Sequence, residues 1–225
     1  MSREELVQRY LDGQMSRRVF LRRLIGTGVA TAAALAYADV LETAPASASP
    51  ADLYILMQDY SFAPKIAPIV LGQLVDFHVS SQSEHHSATD ASGMGFFDTG
   101  FIDYPASFQD LSLPIAGTYQ YHCKSTVHPP MTGRIRIPVK VNPKKHALGG
   151  TFTITWATSI PAGHVADVQK QNPSGSFTDW KIGVTTTSAT YKPTAKGMYH
   201  FRSRMRRKSN GKHSFWSPPQ AINVT

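Results

Sequence analysis

From residue 52 onward the chain is written in short β-rich segments, and no useful length of it carries the 3.6-residue periodicity of an amphipathic helix. Residues 52–59, 73–80, 107–113, 117–123 and 132–139 form a first group of such segments. Residues 151–157, 165–171, 186–191, 198–206 and 221–224 form a second. Each alternates apolar with polar residues or is rich in β-branched and aromatic ones. Ala116-Gly117 and Pro129-Pro130 punctuate the first group. This is the pattern of an all-β protein.

Length and charge divide that pattern in two. The 177 residues after Ala48 suit two domains of roughly ninety rather than one small β-domain. A seam rich in Pro, Gly and charge runs from Val141 to Gly150. Residues 49–141 hold five Lys/Arg against eight Asp/Glu, a net of −3; residues 142–225 hold twelve against two, a net of +10. The expected domains are therefore 49–141 and 142–225, and the positive charge belongs to the second.

The first 48 residues read as an export signal rather than as part of a fold. Ser16-Arg17-Arg18-Val19-Phe20-Leu21 precedes a mildly apolar stretch, and Ala46-Ser47-Ala48 is a small-x-small cleavage signature. The stretch falls short of the ~20 apolar residues that span a bilayer. This segment resembles a twin-arginine signal, which carries folded proteins across the cytoplasmic membrane. The resemblance implies a periplasmic, cell-envelope or secreted protein; cleavage after Ala48 and retention as an anchor both fit the residues.

Cys123 is the chain's single cysteine. In an oxidising compartment it cannot close an internal disulfide, and an exposed free thiol is an oxidation liability. Ligation to a metal removes that liability. The surrounding run, Tyr121-His122-Cys123-Lys124-Ser125-Thr126-Val127-His128-Pro129-Pro130-Met131, places a thiolate, an imidazole and a thioether within nine residues. Those donors, with a second imidazole from elsewhere, are the set copper takes in electron-transfer sites. His86 is placed to give that imidazole, and its neighbour His85 is the rival. Adjacent residues on a strand face opposite ways, so only one of the two points at a metal.

Residues 49–141 resemble a cupredoxin of the plastocyanin, amicyanin and pseudoazurin kind. The likeness is carried by Ser61-Phe62-Ala63-Pro64 and the run Val70–Phe77, then by His86-Ser87-Ala88-Thr89. Ala116-Gly117-Thr118-Tyr119-Gln120-Tyr121-His122-Cys123 and His128-Pro129-Pro130-Met131-Thr132-Gly133-Arg134-Ile135 complete it. The resemblance implies a Greek-key β-sandwich and one type 1 copper ion held by His86, Cys123, His128 and Met131. Two departures stand out. Four residues separate Cys123 from His128 where plastocyanins and amicyanins have two, and Ser87 stands where Asn is common. Ser87 is expected to hold the ligand loop through its hydroxyl. His128 is expected to reach the surface inside an apolar collar of Pro129, Pro130, Met94, Phe96 and Phe97. His122 is expected to face away from the site; with Lys124 following Cys123 and no His-x-His pair, a catalytic second copper is not expected.

Residues 142–225 resemble a fibronectin type III module, an immunoglobulin-like β-sandwich. Thr153-Ile154-Thr155-Trp156, Gly197-Met198-Tyr199-His200-Phe201-Arg202 and Phe215-Trp216-Ser217-Pro218-Pro219 carry that likeness. Arg202, Arg204 and Arg206 alternate on one strand face, and Arg207 and Lys208 extend the run. Two readings stand: a solvated face, or a dock for an anionic envelope polymer, phospholipid headgroups or an acidic redox protein. An exported chain leaves nucleic acid aside. The expected function is non-enzymatic one-electron transfer with a redox partner protein. A copper-buffering protein and an adhesion or scaffold protein are the alternatives.

Overall fold

The computed structural model describes residues 53–80, 85–128 and 130–225, together with Val19 and Arg23. The rest of the expected export segment, and Pro129, lie outside the described residues. From Leu53 onward the described chain is all-β.

Alternation of buried and exposed side chains builds the first two sheets. β1 (Leu53–Gln58), β2 (Ser61–Ala63), β4 (Leu74–Val79) and β6 (Ser107–Ser112) form one, in the order β2-β1-β4-β6. β3 (Ile66–Pro68), β5 (Thr89–Asp90), β7 (Gly117–His122) and β8 (Thr132–Ile137) form the other, in the order β3-β8-β7-β5. β1 runs parallel to β4 and β3 parallel to β8; the remaining pairs are antiparallel. Every second residue of β7 and β8 is buried, as the pleat requires. The two inner faces meet on aromatic edges. Tyr121 of β7 lies 4.7 Å from Phe62 of β2 and 5.3 Å from Phe77 of β4, both edge-on.

The second pair of sheets begins at β9 (Lys140–Asn142), which straddles the expected boundary and pairs with β11 (Phe152–Thr155). With β14 (Ser188–Tyr191) these give the order β14-β11-β9. The facing sheet is β10-β16-β15-β12-β13, built from β10 (Lys145–His146), β12 (His164–Gln171), β13 (Phe177–Val184), β15 (Gly197–Arg207) and β16 (Gln220–Val224). Trp156 is fully buried, meets Trp180 of β13 edge-on at 6.0 Å, and donates from Nε1 to the Thr186 carbonyl at 2.7 Å.

Each unit is pinned by a tyrosine at the start of a strand. Tyr119 Oη donates to the Ile115 carbonyl and Tyr199 Oη to the Ala195 carbonyl, four residues back in both cases. Fully burying one such apolar ring or side chain is worth about 1.5–3 kcal/mol, so the core spread over both units is the main source of stability.

Candidate metal centre

β7 ends at His122 and delivers Cys123 to the edge of the sandwich. Its buried-to-partly-buried alternation turns Tyr121 inward and His122 outward, and Cys123 inward again, 8% exposed. A tight loop then returns the chain. His128 N donates to the Ser125 carbonyl at 3.3 Å, Met131 N to the His128 carbonyl at 2.8 Å, and Cys123 N to the Met131 carbonyl at 3.0 Å. These bonds close the loop despite its greater length. They bury His128 to 1% and Met131 to 2%.

His86 comes from the other side of the sandwich edge. It exchanges backbone hydrogen bonds with Ile102, donating at 3.1 Å and accepting at 2.8 Å, and its side chain is wholly buried. His85 points outward, beside Asp103 at 3.6 Å and the exposed Phe101 ring at 4.9 Å. The alternation argument thus separates the two neighbours.

One ligating atom from each of His86, Cys123 and His128 lies within 4.8 Å of the other two, and all three residues are buried. The Cys123 sulfur is 3.9 Å from His128 Nδ1. The His86 and His128 rings lie face to face, centroids 4.6 Å apart and planes 20° apart. Asp59, in the β1–β2 turn, brings a carboxylate oxygen to 3.5 Å from His86 Nε2.

The sulfur sits among donors. Ser87 N lies 3.4 Å from it, Ser125 N 3.5 Å and Ser87 Oγ 3.9 Å. These donors fix the position of the sulfur. Ser87 Oγ also accepts from Lys124 N at 2.9 Å, so its hydroxyl ties the His86 segment to the Cys123 segment. Lys124 Nζ then reaches Asp98 at 2.6 Å. Hydrogen bonding from Lys124 is the chief cause that holds the Asp98 carboxyl below its ordinary range.

Met94, Phe96 and Phe97 do not form the expected collar. Met94 is wholly buried and Phe97 is 7% exposed, stacked on Phe77 at 6.5 Å; Phe96 packs edge-on against His164 of the second unit. The hairpin carrying these residues runs away from the His86–Cys123–His128 cluster toward the other sandwich. His128 is not at the surface either. Tyr60 covers it edge-on at 5.2 Å and is itself 63% exposed, with Val127 at 56% beside it. Asp59 and Tyr60 escaped the sequence reading. Their one signal was position in the two-residue turn between Gln58 and Ser61, where Tyr60 takes φ 66°.

The arginine run is also engaged. Arg204 Nε and Arg206 Nε reach the buried Asp167 at 3.1 and 2.9 Å. The Arg202 guanidinium stacks 3.9 Å from the Phe177 ring centroid, and Trp216 lies between Arg202 and Arg204 at 4.9 and 4.5 Å. The three do share a face, but an interleaved ladder of rings and guanidinia occupies it, each stacking worth about 0.5–2 kcal/mol.

No family model and no curated protein matches the chain. Among solved structures it is similar to a purple cupredoxin from Nitrosopumilus maritimus, 20% identical, over 38% of this chain and 99% of that one, with a TM-score of 0.33. A reduced amicyanin variant is 18% identical over 42% and 87% of the two chains, TM-score 0.33. A pseudoazurin from Sinorhizobium is 22% identical over 39% and 74%, TM-score 0.31.

Proposed function

We propose that the first sandwich carries a type 1 copper ion and transfers single electrons outside the cytoplasmic membrane. The observation that carries this reading is the buried His86–Cys123–His128 cluster. Its donor chemistry fits copper: one soft sulfur and two imidazole nitrogens. Its spacing fits too. Cys123 Sγ and His128 Nδ1, 3.9 Å apart, are close enough for one ion to be held by both. Met131, two residues before the β8 glycine Gly133 and buried at the loop's end, would supply a thioether as the fourth donor.

Bound copper would supply the Cu(II)/Cu(I) couple. The chain's own residues do the rest. The Ser87 and Ser125 backbone donors, 3.4 and 3.5 Å from the Cys123 sulfur, hold it in place. Asp59, 3.5 Å from His86 Nε2, would help fix the orientation of the His86 ring. Tyr60 shields His128 from bulk water. Burial of all three donors, with Cys123 and His128 on one hydrogen-bonded loop and His86 held by its backbone bonds to Ile102, limits rearrangement between oxidation states.

The order β14-β11-β9 against β16-β15-β12-β13, the buried Trp156 and the Tyr199 bond to Ala195 support a fibronectin type III-like reading of the second unit. Export rests on the Ser16–Leu21 motif. Addition of Cu(II) to the full chain tests the central reading. An intense visible thiolate-to-copper band that disappears in Cys123→Ser is expected; a parent protein without that band would refute it. Reversible, rapid voltammetry then favours electron transfer over copper buffering.

A further inference from the structure

Two elements bring candidate ligands to the site, and both are tied at their far ends to the second sandwich. The first is a hairpin over residues 86–102. His86 and Ile102 bond at its root, Thr99 N donates to the Ala88 carbonyl at 3.1 Å, and Asp90 N donates to the Phe97 carbonyl at 3.0 Å. Asp90 closes the tip by accepting from Ser92 N, Ser92 Oγ and Phe96 N at 2.9, 2.9 and 3.0 Å. That tip is held by residues at and just after the end of β15. Arg207 Nη1 donates to the Met94 carbonyl at 2.5 Å and Asn210 Nδ2 to the Gly93 carbonyl at 3.3 Å.

The second element is β7, which ends at His122, next to Cys123. Near its start, Thr118 and Phe215 exchange backbone hydrogen bonds, both 2.9 Å. Thr118 Oγ1 adds a bond to the Trp216 carbonyl at 2.9 Å, and Ala116 N donates to the Trp156 carbonyl at 2.7 Å. The approach is close enough that a Cβ on Gly117 would stand 2.7 Å from Ser214 Oγ.

These ties replace something the first unit lacks. β5 pairs only with Tyr121 and His122 of β7, so the first half of that strand would otherwise be an open edge. An isolated two-stranded hairpin is marginal in water, so one held at its tip is far better fixed at its root. At about 3.3 Å per residue, the path from the Met94 tie to His86 is about 26 Å and from Thr118 to Cys123 about 17 Å.

We propose that the C-terminal sandwich is an internal brace for the metal-binding edge, and that Arg207 is a positioning residue acting through the Met94 tie on His86. The role in metal chemistry rests on the copper reading above; the brace itself does not need the metal. Hydrogen exchange on the metal-free full chain is the test, comparing the parent with Arg207→Ala and Arg207→Lys. Arg207→Ala is expected to speed exchange at the Asp90, Thr99, Ile102 and His86 amides by about tenfold, leaving β13 amides within about twofold. Arg207→Lys should recover most of the protection, since one cation still reaches the carbonyl. Protection at His86 and Ile102 unchanged in Arg207→Ala would overturn the brace. Should that variant not fold, calorimetry of the parent decides: one cooperative transition supports the brace, and two independent ones overturn it. With Cu(II) present, a broadened or displaced thiolate band in Arg207→Ala extends the effect to the metal. A parent that takes no copper would refute the copper reading alone, because the metal-free exchange result stands apart from it.

Discussion

Replacing Ser87 by alanine separates pinning of the ligand loops from ligation itself. Ser87 is wholly buried, and its hydroxyl accepts from Lys124 N at 2.9 Å while lying 3.9 Å from the Cys123 sulfur. The Ser87→Ala change would leave the Lys124 N–H without that acceptor. An unsatisfied donor costs about 1–3 kcal/mol when buried; Lys124 itself is exposed, so the lower half, about 1–2 kcal/mol, applies. Loss of one oxygen atom opens no cavity of consequence. For a chain of this size each kcal/mol moves Tm by about 2–4 °C, giving an expected fall of about 2–8 °C in the metal-free protein. The sulfur keeps the nearer backbone groups of Ser87 and Ser125, at 3.4 and 3.5 Å. The thiolate band should therefore survive with a modest shift, unlike its loss in Cys123→Ser. Thermal melts by circular dichroism, with and without Cu(II), read the stability, and visible spectra of the same samples read the band. A Ser87→Ala protein that melts within about 1 °C of the parent would show that the hydroxyl pins nothing.

Other expectations follow from the packing. Gly133→Ala would place a Cβ 2.3 Å from Tyr121 Cζ, so the ring must shift; a loss of about 1–3 kcal/mol in denaturant unfolding is expected, relieved when Tyr121→Leu is added. Asp167→Ala leaves Arg204 and Arg206 without their shared carboxylate. Both arginines keep about a quarter of their surface in water, so a loss of about 3 kcal/mol, the low end for broken buried pairs, is expected in the same assay. Burial alone would raise the Asp167 carboxyl, but hydrogen bonds from Arg206, Gly183 N and Arg204 outweigh it and hold it below its ordinary value. A depressed folded value means this stability is complete above the unfolded carboxylate range near about pH 4 and drains away as pH falls through the folded value. Melts from about pH 6 to about pH 2 should steepen below about pH 4 in the parent and less so in Asp167→Asn. Tyr199→Phe removes the bond to the Ala195 carbonyl and should cost about 1 kcal/mol in chemical unfolding with no change in any copper band.

Much of the fold was legible because strands that bury one face must alternate. All ten expected segments overlap observed strands, and β7 and β8 keep the alternation from end to end. β13 was missed for the complementary reason. It is paired only with β12, at the edge of its sheet, and its partly exposed residues carry no alternating signal. The short strands β2, β3, β5, β9 and β10, of two or three residues each, are too brief for any period to register.

At the site, donor chemistry pointed to Cys123 and its neighbours and the cupredoxin resemblance supplied the set His86, Cys123, His128 and Met131; the fold brings ligating atoms of the first three within 4.8 Å of one another and buries Met131 at the end of the same loop. Alternation along the backbone required that only one of His85 and His86 point inward, and the resemblance chose His86, which is the buried one. What surrounds those donors was decided only by tertiary packing. Asp59 and Tyr60 lie far from either histidine in sequence, and only the β1–β2 turn brings them onto the two rings. The arginines looked free because the sequence shows their spacing but not the buried Asp167 or the rings that interleave them. Likewise nothing local announces that the His86 hairpin and the Cys123 strand end on the second sandwich. Periodicity and chemistry are properties of a few neighbouring residues and can be read in one dimension; which distant surface covers an imidazole or ties a hairpin tip depends on how the sheets stack, and that exists only in the folded chain.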